Sequence, residues 1–424
     1  MTDLTTRAQL ILLARTLHVH PQRVQHLRYL GADRLHELQQ QIAGVLFDQH
    51  TETFRRISAL VPFIPLSISI PLVQRLVPPM TTGRAAGSVG VEHPVKAAET
   101  LMMLDPGYAA DCAPYLDPRA IAQLADVAPP GPVVEIVNEL LRRCDYVTAG
   151  PFLACATPEL IAAVEADVHD DAGLIHSAAY SYDSEILSSV IRQLLDGPHR
   201  RIPRMAQAVM AGRPALQHAA LSVFSRCAPD VISRVGDVLF GSAPQREVAN
   251  LVRNAIEVGA VPEFLTVVGH LTPLGLWTLV GNSVFADPGV GVGLVAPLDD
   301  RSDVGSWRGL FTLMSRMDDT IRGVVGYALA ALSDATVAEL PAHATETSSW
   351  PALLDLVAVS GPEAQGRFGA VWSDLVPERR AHLHRCIHEH HYDTRLADIT
   401  AAVDPVAVDQ LFFRRRRMQR YRNG

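Results

Sequence analysis

A short helix-opening phrase recurs between residues 116 and 195, and it constrains the fold more than any other feature of the sequence. Each copy starts with a short polar side chain, which can accept a hydrogen bond from a first-turn N–H group, at Asp117, Thr157 or Asp183. Two copies place proline at the first helical position, where its missing N–H group costs no hydrogen bond. Apolar residues then follow at helical spacing. The phrase therefore predicts stacked pairs of short amphipathic helices.

A further copy of the phrase begins at Pro229, and the intervals between copies are irregular, unlike a strict tetratricopeptide or ankyrin period. In the copy that begins at Pro158, the helical spacing predicts that Leu160, Ile161 and Val164 are buried. We therefore expect an all-α fold, an irregular α-solenoid of short antiparallel helices similar to HEAT-repeat arrays.

The composition of the 424-residue chain favours a helical core built from small side chains. Hydrophobic residues make up 48% of the chain but aromatic residues only 6%, so alanine, valine and leucine fill most of the interior. The net charge of −8 argues against specific binding of nucleic acid. The five cysteines are scattered and form no CxxC pair, which is typical of reduced thiols in a cytoplasmic protein. No signal peptide or membrane-spanning run is evident.

Residues 105–170 resemble the cytosolic helical-repeat domain of bacterial magnesium transporters. The likeness lies in helix openings followed by short amphipathic helices and a Pro-Pro break, from Asp105-Pro106 through Leu116-Asp117-Pro118 to Thr157-Pro158. The resemblance implies a superhelical stack of short helices. The membrane helices and the regulatory domain of those transporters have no counterpart here, so their metal-sensing role is transferred to no residue.

Shifts in composition divide the chain into six parts. We predict an N-terminal helical segment (1–60), an apolar and Gly-rich connector (61–93), a central helical array (94–285), a Gly/Asp-rich loop (286–303), a C-terminal helical array (304–413) and an Arg-rich tail (414–424).

The connector has the most unusual composition in the chain. Ile64, Leu66, Ile68 and Ile70 alternate with proline and serine, which is strand periodicity, although the prolines argue against a central strand. The segment could pack as extended chain against the helices. Alternatively, it could contact a lipid or another apolar ligand.

Three glycines and an arginine follow within the connector. Gly83, Gly87 and Gly90 could present backbone N–H groups to an anion, and Arg84 could add a guanidinium. The GxxxxGK pattern of a P-loop is missing, so a flexible linker is the alternative interpretation.

A histidine-rich stretch near residue 388 is a second candidate site. On a continuous helix, His384, His388 and His391 would share one face, and imidazoles at such spacing can bind a transition metal. The HExxH pattern of a catalytic zinc helix is not present. The alternatives are weak, adventitious metal binding and a pH-sensitive contact.

The C-terminal tail concentrates positive charge at the end of an acidic chain. We predict that it docks on an anionic lipid surface or an acidic partner. One alternative is a helix cap formed by Leu411, Phe412 and Phe413, with the arginines only solubilising that end, and another is a solvated terminal extension. The six arginines are Arg414, Arg415, Arg416, Arg417, Arg420 and Arg422.

No catalytic constellation can be placed along the chain, and no cofactor is implied. The sequence therefore favours a non-catalytic, cytoplasmic helical-repeat protein that binds another protein or acts as a scaffold, with a peripheral membrane position as a variant. Two alternatives stay open. One is a binder or carrier of an apolar or lipid-like ligand that uses residues 61–93, and the other is an enzyme of unrecognised class.

Overall fold

The fold is all-α, as the sequence predicts. A computed structural model describes residues 4–59, 63–116, 118–153, 155–241, 243–299, 301 and 303–404, and within these ranges all regular secondary structure is helical. The chain divides into two compact units, Met1–Val231 and Ile232–Gly424. This division falls inside the residues 94–285 that composition groups as one array.

The first unit is a stack of short helices. Its helices are α1 (Leu4–Thr16), α2 (Gly31–Ser58), α3 (Leu66–Leu76), α4 (Pro79–Glu92), α5 (Pro94–Leu101), α6 (Pro106–Cys112), α7 (Pro118–Leu124), α8 (Pro130–Arg142), α9 (Tyr146–Leu153), α10 (Pro158–Asp167), α11 (Asp171–Ala178), α12 (Ser184–Asp196), α13 (Arg201–Met210) and α14 (Pro214–Phe224).

Two of the three predicted N-caps form. Thr157 accepts a hydrogen bond from the N–H group of Leu160, and Asp183 accepts bonds from Glu185 and Ile186. Each cap satisfies first-turn donors that have no carbonyl partner within their helix. The third predicted cap, Asp117, lies outside the described residues.

The helices of the first unit form two layers. From α4 to α13, contacts join helices that lie two places apart in the chain order. Helices α2, α4, α6, α8, α10 and α12 pack in succession to form one layer, and α5, α7, α9, α11 and α13 form the other. This alternation is the arrangement of an α-solenoid. The N-terminal helix α1 also contacts α9 and α14, so the start of the chain packs against later helices of the same unit.

The predicted connector is instead two helices, α3 and α4. Helix α3 contains Pro71 in its interior, and α4 contains all three glycines of the predicted loop. Gly83 is required by packing, since a Cβ atom there would collide with the carbonyl oxygen of Cys112. Proline and glycine therefore signal close helix packing here rather than an irregular linker.

The second unit is also built from short helices. Its helices, the first of which starts at the end of the first unit, are α15 (Pro229–Gly241), α16 (Gln245–Val258), α17 (Val261–Val268), α18 (Pro273–Val280), α19 (Pro288–Val295), α20 (Val304–Met314), α21 (Asp319–Ala330), α22 (Asp334–Glu346), α23 (Trp350–Val359), α24 (Pro362–Ser373), α25 (Pro377–Glu389) and α26 (Ala397–Val403).

The core of the second unit contains several large aromatic side chains. Trp307, Phe264 and Trp372 are fully buried, and the indole N–H of Trp372 donates to the carbonyl of Val337 at 2.9 Å. Within the predicted loop 286–303, Pro288–Val295 form α19, which is capped by Asp287. Its glycines lie within that helix.

Candidate functional site

An apolar cavity of about 560 Å³ lies within the first unit. Side chains from α2 through α14 line it, so it runs between the two helical layers. Ligand pockets in proteins typically enclose about 300–1,000 Å³. An engineered apolar cavity of about 150 Å³ is already large enough to bind benzene. The cavity of this chain is more than three times larger and can therefore hold a sizeable apolar molecule.

The walls of the apolar cavity carry almost no charge. Lys96 is the only lysine, arginine, aspartate or glutamate among the described residues that line it, and its Nζ atom lies 3.3 Å from the carboxylate of Glu99. Burial raises the pKa of the lining thiol of Cys112 to about 11, and it also raises the pKa of Cys155. These thiols therefore stay protonated near neutral pH and supply no thiolate nucleophile.

The predicted stripe of α10 faces this cavity. Ile161 is buried, as predicted, but Leu160 and Val164 are only half-buried. All three residues line the cavity. The prediction of complete burial is therefore wrong for Leu160 and Val164, because their helical face meets a cavity instead of a close-packed neighbour.

Helix α3 has two apolar faces. Leu66, Ile70 and Val73 line the cavity. The opposite face carries Ile68 and Leu72, one turn apart, followed by Leu76, and these side chains are 63%, 52% and 71% exposed. Exposed apolar side chains at helical spacing are typical of a surface that contacts an apolar partner.

A second cavity of about 540 Å³ in the first unit has polar walls. At its edge, Arg15 of α1 donates to Asp145 at 2.6 Å and also to the hydroxyl of Thr148. The charge-assisted bond fixes α1 against the start of α9. The guanidinium of Arg15 therefore lies at a defined position in the wall.

Three histidines also line the polar cavity. The guanidinium Nη2 of Arg84 lies 2.7 Å from Nε2 of His18, and His36 contacts the amide oxygen of Gln9 at 3.2 Å. The ring of His36 stacks on Tyr182, with centroids 3.9 Å apart. Burial lowers the pKa of His36, which favours a neutral ring that donates from Nδ1 to Gln9. The third histidine of the wall is His50.

Tyr182 is held from its other end. Its hydroxyl donates to Asp33 at 2.7 Å, and this hydrogen bond raises the pKa of Tyr182 to about 12. The hydroxyl of Tyr182 therefore stays protonated near neutral pH, and its hydrogen bond keeps the ring oriented beside His36.

The structure brings only part of the predicted anion site to a cavity. Arg84 lines the polar cavity. Gly83, Gly87 and Gly90 lie beyond the first turn of α4, where their N–H groups belong to the helical hydrogen-bond ladder. The expected loop of free N–H groups therefore does not form.

The histidine stretch provides a pair rather than a row of three. The Nε2 atoms of His384 and His388 are 3.2 Å apart, one turn apart on α25. Helix α25 ends at Glu389, and His391 follows in a left-handed conformation with φ 62°. The predicted shared face of all three is therefore wrong. Among the described residues, no group of three or more histidine, cysteine, aspartate or glutamate side chains could hold a metal ion.

The predicted docking arginines of the tail lie outside the described residues, and their role stays a prediction. Within the described part of the chain, no helix is both long and apolar enough to cross a membrane.

Sequence reasoning missed most of the polar cavity. Gln9, Arg15, Ser181 and Tyr182 come from distant parts of the chain and form no motif. A local signal existed only for Arg84, through the composition around it.

Comparisons with known proteins identify no family for this chain, so its class is defined by its fold. No protein-family model matches the chain, and no curated protein matches it. A solved structure described as a "Circular tandem repeat protein with novel repeat topology and enhanced subunit contact surfaces" is 15% identical over 99% of this chain and 98% of its own, with a TM-score of 0.21. The helices themselves define the chain as an all-α helical-repeat protein.

Proposed function

We propose that the first unit binds an apolar, chain-like small molecule in its apolar cavity. The observation that carries this proposal is a volume of about 560 Å³ whose walls contain one charged side chain among the described residues, Lys96. The transfer of a ligand's apolar surface from water into an apolar cavity is favourable. The ligand-binding interpretation of the sequence therefore has more support than a scaffold role alone.

We place the entrance for this ligand at α3. The helix presents apolar side chains both to the cavity, through Ile70, and to the surface, through Ile68 and Leu72. Residues 63–91 contain Arg75 and Arg84 but no acidic residue. A helix of this kind can contact lipid without bringing a carboxylate close to phosphate head groups.

The proposal is tested by titrating the purified full-length protein with N-phenyl-1-naphthylamine, a neutral fluorophore that brightens in apolar surroundings. We expect saturable binding in the wild type and a strong loss in Leu160→Trp, because the larger side chain fills the cavity. Leu274→Trp is the matched control, since Leu274 is 67% exposed in the second unit. Native mass spectrometry of the untreated protein should show a retained apolar ligand.

Two outcomes would contradict the binding proposal. One is the absence of saturable binding in the wild type, and the other is equal binding by the Leu160→Trp and Leu274→Trp variants. If Leu160→Trp lowers the melting temperature sharply, Ile136→Phe tests a second lining position of the same cavity.

A protein partner is a second candidate function, and α18 of the second unit favours it. Trp277 is 75% exposed, and Leu274 lies one turn before it on the same helix. Tryptophan is enriched at the centres of protein interfaces. A partner found with the wild-type protein should be lost on Trp277→Ala and kept on Tyr327→Ala, which removes an exposed aromatic ring from α21. Equal retention by both variants would contradict this function.

A further inference from the structure

Two buried polar groups in the wall of the polar cavity have no hydrogen-bond partner within the described part of the chain. They are the amide Nε2 of Gln9 and the hydroxyl of Ser181, on side chains that are 1% and 2% exposed. Buried polar groups in native proteins are nearly always paired, because an unpaired one costs free energy. Their position in a cavity wall points to a ligand that supplies the missing partner.

The chemistry of the wall favours an acceptor-rich, negatively charged group. Arg15 and Arg84 both line the cavity, whereas Asp183 is the one carboxylate among the described lining residues. Asp145, which lies 2.6 Å from Arg15, is not among the residues that line the cavity. Guanidinium groups and amide N–H donors are suited to carboxylate and phosphate oxygens.

His18 contacts the guanidinium of Arg84 in the wall of this cavity. It has φ 53°, a left-handed conformation that costs a residue with a Cβ atom free energy and is normally taken by glycine after a helix. Burial and the charge of Arg84 lower the pKa of His18. The backbone at the end of α1 thus places the imidazole of His18 2.7 Å from the guanidinium of Arg84 in the cavity wall.

The polar and apolar cavities adjoin. Five residues line both cavities, namely Ala113, Leu116, Ile121, Phe152 and Cys155. A donor-rich volume and an apolar one therefore meet at these side chains. A molecule with a polar end and an apolar chain matches this pair of volumes.

We propose that the polar cavity holds the acidic head group of an amphiphile whose apolar chain occupies the apolar cavity. The inference rests on the proposed function and adds the chemical class of the ligand, a single-chain amphiphile with a carboxylate or phosphate head. Gln9 and Ser181 donate to the head-group oxygens, and Arg84 supplies positive charge beside them.

The test compares three ligands of equal chain length by displacement of N-phenyl-1-naphthylamine near neutral pH. They are palmitate, hexadecyl phosphate and hexadecanol. We expect at least one acid to bind about tenfold tighter than the alcohol, as one charge-assisted hydrogen bond provides. The tighter acid identifies whether the head group is a carboxylate or a phosphate.

Variants locate the head group. Ser181→Ala removes a hydroxyl that has no partner in the described residues, so it should fold normally and lose several-fold affinity for the acid but not for hexadecanol. Arg84→Gln should remove most of the acid preference. Ser315→Ala and Arg253→Gln, at exposed positions of the second unit, are the matched controls and should change neither.

The outcomes separate this inference from the proposed function. Binding of the fluorophore with equal affinities for acids and alcohol would overturn the inference alone. Loss of the acid preference on Lys96→Gln, with Arg84→Gln and Ser181→Ala unchanged, would also overturn it and place the head group at the other charged wall position. Failure of the wild type to bind the fluorophore and all three ligands would overturn both.

Discussion

The Nε2 atom of His18 lies 2.7 Å from the guanidinium Nη2 of Arg84, although 66 positions separate the two residues. His18 follows the C-terminus of α1, where the N–H group of Val19 donates to the carbonyl of Ala14. This closing hydrogen bond requires a left-handed residue, and glycine is the usual choice. Histidine at this position strains the backbone but places an imidazole in the wall of the polar cavity.

The substitution His18→Gly should therefore change folding stability and ligand affinity in opposite directions. We expect His18→Gly to raise the free energy of unfolding by about 1 kcal/mol, since the left-handed conformation no longer strains a Cβ atom. The same variant should bind palmitate or hexadecyl phosphate less tightly. Denaturant unfolding and displacement titration measure the two effects. A destabilised variant would show that the contact with Arg84 outweighs the backbone cost.

Leucines in the first unit should differ in their contribution to stability. Leu13→Ala should cost about 2–5 kcal/mol, because Leu13 is fully buried in a close-packed cluster with Leu10 and Leu35. Leu160→Ala should cost less than Leu13→Ala, because Leu160 is only half-buried and loses fewer packing contacts. Denaturant unfolding of both variants tests the difference. Similar losses would mean that the wall of the cavity is as tightly packed as the core.

Acidification should destabilise the protein through its buried histidines. Burial lowers the pKa of His343 below its usual value of 6.5, while Glu346, Glu339 and Asp303 partly oppose this shift. The unfolded histidine therefore takes up a proton at a higher pH than the folded one. Stability is present above about pH 6.5 and is lost as the pH falls toward the folded pKa.

His343→Phe isolates this effect, since the ring of His343 stacks on Trp307 with centroids 5.0 Å apart and phenylalanine keeps the shape. The melting temperature of the variant should fall less than that of the wild type between about pH 7.5 and 5.5. His169→Phe, at an exposed position, is the control and should follow the wild type. Parallel curves for all three proteins would contradict the prediction.

The outer face of α3 should control the rate of ligand uptake rather than the affinity. Ile68, Leu72 and Leu76 are exposed and do not line the cavity. Replacing all three with serine should slow transfer of a fluorescent fatty acid from anionic vesicles several-fold and leave the equilibrium affinity unchanged. Stopped-flow transfer and titration provide the two readouts, with Leu274→Ser as the control. An unchanged transfer rate would place the entrance elsewhere.

The sequence predicts the helices better than it predicts what lies between them. Thr157 and Asp183 cap their helices because capping depends on a side chain and the backbone a few residues away. Pro71 and Gly83 predict an irregular connector from the local sequence, but both lie within helices. The tight packing of α3 and α4 overrides the tendency of these residues to break helices. His391 is displaced from its predicted face because α25 ends two residues earlier.

The cavities could not be predicted, because they arise from residues that are distant in sequence. The spacing of Leu160 and Val164 indicates an inward face but does not tell whether that face meets a neighbour or a void. The polar cavity joins Gln9 to Ser181, and neither residue type carries a signal by itself. The sequence does single out residues 61–93 as a ligand-contacting segment, and that expectation stays a prediction until a ligand is identified. The resemblance to magnesium transporters likewise stays a prediction.

The most direct test of the central claim is titration of the full-length protein with N-phenyl-1-naphthylamine, in parallel with the Leu160→Trp and Leu274→Trp variants. Binding in the apolar cavity predicts one saturable site in the wild type and in Leu274→Trp, and a greatly weakened site in Leu160→Trp at unchanged helical content. Equal binding by all three proteins, or no saturable binding by the wild type, would contradict a ligand-binding function for the first unit.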